Sequence, residues 1–264
     1  MIKSFSHKEF FTYEDKLPEA SGYSLFHAGH ILIMALCTAV CIGCVYIYGC
    51  CDAEKKKEFR RILSVLIIGL IVIRLLFVWL CRADILYELP LHLCSIAGIV
   101  CFIYEWGYEA LPKSICSVAE QAMFSLCLPG AVLAIVFSDG TMYPLFHFIT
   151  IQSNLYHALV VAYIILRIMD GRVRPDIRQA YKSLLFLAPI VPPVYLFDRI
   201  FHANYMFLLA PSLGSPFTAV YTEHGYIVYM ICYALTVLLE IIAINLLGAL
   251  FIGLRRGFLK CAIR

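Results

Sequence analysis

The chain has 264 residues, 62% of them hydrophobic and 15% charged, with a formal net charge of +3. A soluble domain of this size is nearer half apolar and a quarter charged. The apolar runs are also about 20 residues long and lack strand-like alternation, so the composition predicts an all-α integral membrane protein. The Lys and Arg residues fall in short loops without aromatic interleaving, which argues against a nucleic-acid partner.

Residues 1–24 are polar and mixed in charge, without the basic-then-apolar pattern of a cleavable signal peptide. They predict a polar segment outside the membrane, followed by a first span that does its own targeting. Hydropathy predicts seven spans in one transmembrane domain covering 1–264, at about 25–49, 62–81, 89–106, 115–137, 145–167, 183–200 and 226–253. Alternate loops hold Lys55, Lys56, Lys57, Arg60 and Arg61, then Lys113, then Arg167, Arg172, Arg174, Arg178 and Lys182, then the basic tail Arg255, Arg256, Lys260 and Arg264. Lys3, Lys8, Lys16, Arg82 and Arg199 fall on the other side. This bias predicts a seven-helix bundle with the N-terminus outside and the C-terminus in the cytoplasm.

Most of the twelve cysteines lie within spans. Cys41-Ile-Gly-Cys44 has the spacing of a redox or zinc motif. In an apolar helix, however, free cysteine behaves as a small hydrophobe, and no histidine pair or second Cys-x-x-Cys stands nearby to complete a metal site. Neither a metal nor a cofactor is expected. Pro189, Pro192 and Pro193 should break the sixth span. Residues 201–225, with Asn204-Tyr205-Met206-Phe207-Leu208, Pro211 and Pro216, read as a lid, a re-entrant piece or a surface connection.

Polar groups within the spans carry the information, because lipid penalises them unless they face a partner or a wet cavity. The stretch Glu88-Leu89-Pro90-Leu91-His92-Leu93-Cys94-Ser95 opens the third span, with Pro90 suited to the first helical position. Cys94 then lies near the helix N-terminus, where the dipole partly favours a thiolate. His30, Arg74, His92, Asn154 and His157 fall at similar depth in the outer half of the membrane. Ser153, Asn154 and His157 share one helix face. Cys94 with His157 matches the nucleophile and base of acyl transfer, and His92 is the rival base. Asn154 is a candidate oxyanion donor; Arg74, His92 and His30 are candidate substrate-binding groups. Each also reads as helix-to-helix hydrogen bonding, as do Glu120, Gln121, Glu240 and Asn245.

Phe26 with His30, the stretch Leu89 through Ser95, Gln152 through His157, and Asn204 through Leu208 with Pro211 together resemble the YwaF-type multipass membrane proteins. The animal relatives of that family are described as integral membrane acyltransferases acting on phospholipids. The resemblance implies a seven-helix fold, a cysteine mechanism with Cys94 as nucleophile, and membrane phospholipids as partners. The expectation is therefore a lipid acyltransferase or transacylase in a multipass membrane protein, in the plasma membrane if the source is bacterial. Outer-half depth predicts a membrane lipid as acyl donor rather than acyl-CoA. No His-x4-Asp motif occurs. The alternative is a seven-helix transporter or binding protein with a polar intramembrane cavity.

Overall fold

A computed structural model describes residues 10–17, 22–212 and 215–262, and all regular structure among them is helical. The helices are α1 (Ala28–Cys50), α2 (Ala53–Leu80), α3 (Leu93–Gly107), α4 (Lys113–Val136), α5 (Phe148–Met169), α6 (Tyr181–Leu187), α7 (Val191–Phe201) and α8 (Phe217–Ala262). Six stretches are long and apolar enough to cross a membrane: α1, α2, α4, α5, Ile177–Phe201 (which holds α6 and α7) and Phe217–Leu250 of α8. The third expected span is α3, and it has 15 residues. At 1.5 Å per residue it is about 22 Å long, against a hydrocarbon core of about 30 Å.

Several helix starts differ from the hydropathy pattern. α2 begins at Ala53, so the basic run Lys55–Arg61 is helix and not loop. Asp52 caps it, its Oδ1 accepting from Lys55 N at 2.9 Å. Charged residues with good helix propensity extend a helix beyond its apolar part, which a hydropathy window cannot register. α3 begins at Leu93, four residues later than expected, and Pro90 lies in the preceding turn. α8 begins at Phe217, and Gly225 (φ 79°, ψ −179°) interrupts it. That backbone conformation is open essentially only to glycine. The proline break occurs as expected. α6 ends at Leu187 and α7 restarts at Val191, with Pro192 and Pro193 in the first turn, where no backbone donor is needed.

The chain forms two compact units. One comprises Met1–Trp106 and Gly130–Leu166; the other comprises Gly107–Pro129 and Arg167–Arg264. In the first unit the core helix is α5, where Ala158, Val160, Ala162, Tyr163, Ile164 and Leu166 are all fully buried. A helix apolar all round has to be surrounded by protein or lipid, and here protein does it. α1 packs on α5 through two cysteines one turn apart. Cys37 Sγ approaches Asn154 O at 3.6 Å and Cys41 Sγ approaches Ala158 O at 3.3 Å. Cys41 and Cys44 are free thiols, so these cysteines act as small packing residues.

In the second unit, Pro129 cannot donate a backbone bond, and its ring would clash with the Ser125 carbonyl. The helix widens into a π-turn over Met123–Cys127, with Leu128 N bonded to Met123 O. Gln121 Nε2 donates to Asn245 Oδ1 at 2.7 Å, and Asp176 N donates to the same oxygen at 3.1 Å. Two of the polar residues expected to join helices therefore do so. The Asn204–Leu208 segment is pinned. Asn204 Oδ1 accepts from Leu209 N and Ala210 N. Tyr226, Tyr229 and Tyr233 on α8 donate to the carbonyls of Leu208, Phe207 and Met206. Met206 (φ 52°) and Phe207 (φ 57°) hold left-handed conformations, strained for such side chains, and the tyrosines fix the carbonyls of both.

Candidate functional site

Cys94 is positioned by the turn that precedes α3. Asp84 Oδ1 caps the short 3-10 turn Ile85–Tyr87 by accepting from Leu86 N at 2.9 Å. His92 O accepts from Ile96 N at 3.0 Å, which makes His92 the N-cap and Cys94 the second residue of the helix. The thiol therefore sits closer to the positive end of the helix dipole than Pro90 at the first helical position would have placed it. It is half-buried, with Sγ 3.9 Å from Gly130 O.

The seam between α3 and α5 is closed by Tyr156. Its hydroxyl accepts from Gly98 N at 3.1 Å and donates to Cys94 O at 2.6 Å. It thus bridges the two groups that an undisturbed helical turn pairs with each other. Only glycine fits at position 98: a Cβ there would stand 2.3 Å from Tyr156 Oη and 2.8 Å from Ile67 Cγ2. His157 follows Tyr156. Its Nδ1 lies 2.7 Å from Ser153 O and 3.5 Å from Ser153 Oγ. A carbonyl can only accept, so Nδ1 carries the proton and Nε2 holds the lone pair, the tautomer a base requires. Cys94 and His157 thus stand on neighbouring helices joined through Tyr156.

Arg74 has a partner that sequence reasoning passed over. Its Nε is 2.7 Å from Glu88 Oε2, and Tyr13 donates to Glu88 Oε1 at 2.9 Å. The N-terminal segment 10–17 is therefore not a detached polar tail. His147 Nε2 donates to Thr12 O at 2.9 Å, because Nδ1 already accepts from Ile149 N at 3.1 Å. Tyr143 donates to Glu14 Oε2 at 3.3 Å. Phe11 packs its ring 5.8 Å from that of Phe148, and Phe77, Val78, Tyr143 and Ile149 form a core against which Tyr13 and Leu17 rest. Burial, reinforced by the Glu88 charge, pushes the Tyr13 phenol well above its ordinary range. Burial and Glu14 do the same to Tyr143. The aromatic and acidic run Phe10-Phe11-Thr12-Tyr13-Glu14 was the available signal for this strap.

The remaining sequence candidates make hydrogen bonds within the protein. His30 is fully buried, with Nδ1 accepting from Phe26 N at 3.0 Å and Nε2 donating to Ile135 O at 3.0 Å, so both ring nitrogens are engaged within the protein. Asn154 is buried and donates from Nδ2 to Thr150 O at 2.9 Å, while its backbone carbonyl meets Cys37. Gln152 Nε2 ties α5 to α2 through Leu70 O at 3.0 Å.

The helices, their apolar lengths and the polar joints buried between them define an integral membrane protein that crosses the bilayer several times. Residues 23–244 match the TMEM164 family, and the chain belongs to that family. No curated protein and no solved structure matches it.

Proposed function

We propose that the protein is an integral membrane lipid acyltransferase or transacylase in which Cys94 is the nucleophile and His157 the base. The observation that carries the reading is the α3–α5 seam. It sets a thiol in the first turn of one helix, joined through Tyr156 to a helix whose next residue is a histidine with its lone pair on Nε2. The likeness of the Leu89–Ser95 stretch to YwaF-type proteins, with animal relatives described as phospholipid acyltransferases, supports the same chemistry.

In this mechanism His157 removes the thiol proton and the Cys94 thiolate attacks the carbonyl of a lipid ester. The amides of Cys94 and Ser95 belong to the first turn of α3, at the positive end of its dipole, and this end of the helix faces the developing oxyanion. Collapse forms a thioester and expels the lipid alkoxide, which takes the proton from His157. An acceptor hydroxyl then gives its proton to His157 and attacks the thioester, releasing the new ester and restoring the thiolate. Arg74 is held by Glu88 and positions the turn that leads to Cys94. His30 and Asn154 brace the helices around the site, and His92 acts as the cap of the catalytic helix.

With seven passes, the N-terminus outside and the C-terminus cytoplasmic, the site lies in the outer half of the bilayer. The acyl donor is then a membrane lipid. Intact mass of the protein incubated with native lipid tests the reading. An acyl adduct removable by hydroxylamine supports it if Cys94→Ala never acquires one. Equal labelling of that variant counts against it, and robust labelling by a short acyl-CoA supplied only from the cytoplasmic side counts against a membrane lipid as the donor.

A further inference from the structure

The first three turns of α2 carry five basic residues, Lys55, Lys56, Lys57, Arg60 and Arg61, and most have visible partners. Lys55 pairs with Asp52 at 3.3 Å, and Lys56 lies over the Tyr48 ring at 5.3 Å. Arg60 donates from Nε to both oxygens of Glu105 at 3.3 Å, and Tyr163 donates to the same carboxylate at 2.8 Å, so Glu105 is committed. Arg61 is different. Among the described residues no carboxylate pairs with it, and its buried Nε meets no acceptor. Its guanidinium lies 4.7 Å from the centre of the Trp106 ring. The indole is fixed in turn by Nε1 donating to Ser64 Oγ at 3.1 Å.

Beside this stack is a groove of about 360 Å³ lined by Glu58, Arg61, Ile62, Val65, Leu66 and Trp106. Ile62, Val65 and Leu66 are each about half exposed, at 50%, 49% and 50%, and their spacing makes them one apolar face. They begin where the charged turns of α2 give way to its apolar length. A stretch that changes from charged to apolar beside a tryptophan marks the bilayer interface, where lipid phosphates lie. The groove itself is apolar; Glu58 and Arg61 border it one turn apart on α2, so an anion and a cation stand at neighbouring positions on its rim.

We infer that this groove seats a zwitterionic phospholipid. Its phosphate sits on Arg61 and is held by the fork of guanidinium donors. Its headgroup ammonium faces Glu58, and one acyl chain lies along Ile62, Val65 and Leu66. The site is separate from the proposed catalytic centre, because Trp106 lies 12 residues along α3 from Cys94, about 18 Å. It does not depend on the acyl-transfer reading.

The test is native mass spectrometry of the delipidated full-length protein titrated with phosphatidylethanolamine, phosphatidylglycerol, diacylglycerol and inorganic phosphate. Wild type should retain one phosphatidylethanolamine. Arg61→Gln should bind it at least tenfold more weakly, and so should Val65→Trp, which fills the groove and leaves the cation in place. Glu58→Gln should shift preference toward phosphatidylglycerol. Diacylglycerol should bind wild type no better than phosphatidylethanolamine binds Arg61→Gln, and phosphate should not displace the lipid. Undiminished binding by both groove variants, equal binding of diacylglycerol, or displacement by millimolar phosphate would each overturn the assignment. Val65→Trp decides the matter if Arg61→Gln does not fold.

Discussion

Replacing Gly98 with alanine tests whether the α3–α5 seam governs both fold and chemistry. The added Cβ would meet Tyr156 Oη at 2.3 Å and Ile67 Cγ2 at 2.8 Å, and both neighbours are buried, at 4% and 0% exposure. Neither can swing into solvent, so the helices must part. Over-packing of this kind costs about 1–3 kcal/mol. Displacing the phenol also forfeits the bonds to Gly98 N and Cys94 O, at about 1 kcal/mol each. The expected loss is about 3–5 kcal/mol, a large share of the roughly 5–15 kcal/mol that holds a typical domain together. Tyr156→Phe removes the bonds without the clash and should lose about 2 kcal/mol. Gly130→Ala is the control, because its Cβ meets nothing within 4 Å. The assay pairs thermal unfolding in lipid nanodiscs with the rate at which Cys94 acquires an acyl group. If the Gly98→Ala variant melts with wild type and acylates at the wild-type rate, the seam does not position the site.

Four further outcomes are expected. His157→Ala should slow acyl transfer by about 10²–10⁴-fold, the usual contribution of a positioned base, while leaving the melting temperature near wild type. Glu88→Gln strips a half-buried Arg74 of its counter-ion and should cost about 2 kcal/mol, between the exposed and fully buried limits for such pairs; Arg74→Met with Glu88→Leu should recover most of that in a denaturation series. Fluorotyrosine at position 13, read by fluorine NMR, should titrate above the same probe in the unfolded chain, and in Glu88→Gln it should titrate lower. Because the folded phenol is raised, the strap's contribution to stability is complete below about pH 10 and is lost as pH climbs toward the folded value. A double-variant cycle on Gln121 and Asn245 should give a coupling of about 0.6–1.7 kcal/mol, the range found for hydrogen bonds between membrane helices; no coupling would remove that pair as a joint.

The parts of the structure legible in the sequence were those written in local pattern. Apolar length identified a helical membrane protein, Pro189 to Pro193 marked the broken helix, and Gln121 and Asn245 announced themselves as polar residues in lipid-length helices. Helix starts were less legible, because hydropathy reports where lipid is and not where a cap such as Asp52 or His92 lets helix begin. That error mattered at Cys94, which moved from the second turn to the first. The strap was hidden because its partners are remote in sequence: Tyr13 and Glu88 are separated by 75 positions, and His147 and Thr12 by 135. At His30 and Asn154 a buried polar side chain presents the same sequence signal whether it binds substrate or a neighbouring carbonyl, and the structure adds the hydrogen bonds each makes within the protein.

The most direct measurement is the intact mass of wild type, Cys94→Ala and His157→Ala after brief incubation with native phospholipid. The mechanism predicts a hydroxylamine-labile acyl mass on wild type, none on Cys94→Ala, and a slow approach to the same mass on His157→Ala. An adduct that persists in Cys94→Ala, or no adduct on any of the three at short times and low temperature, would contradict it.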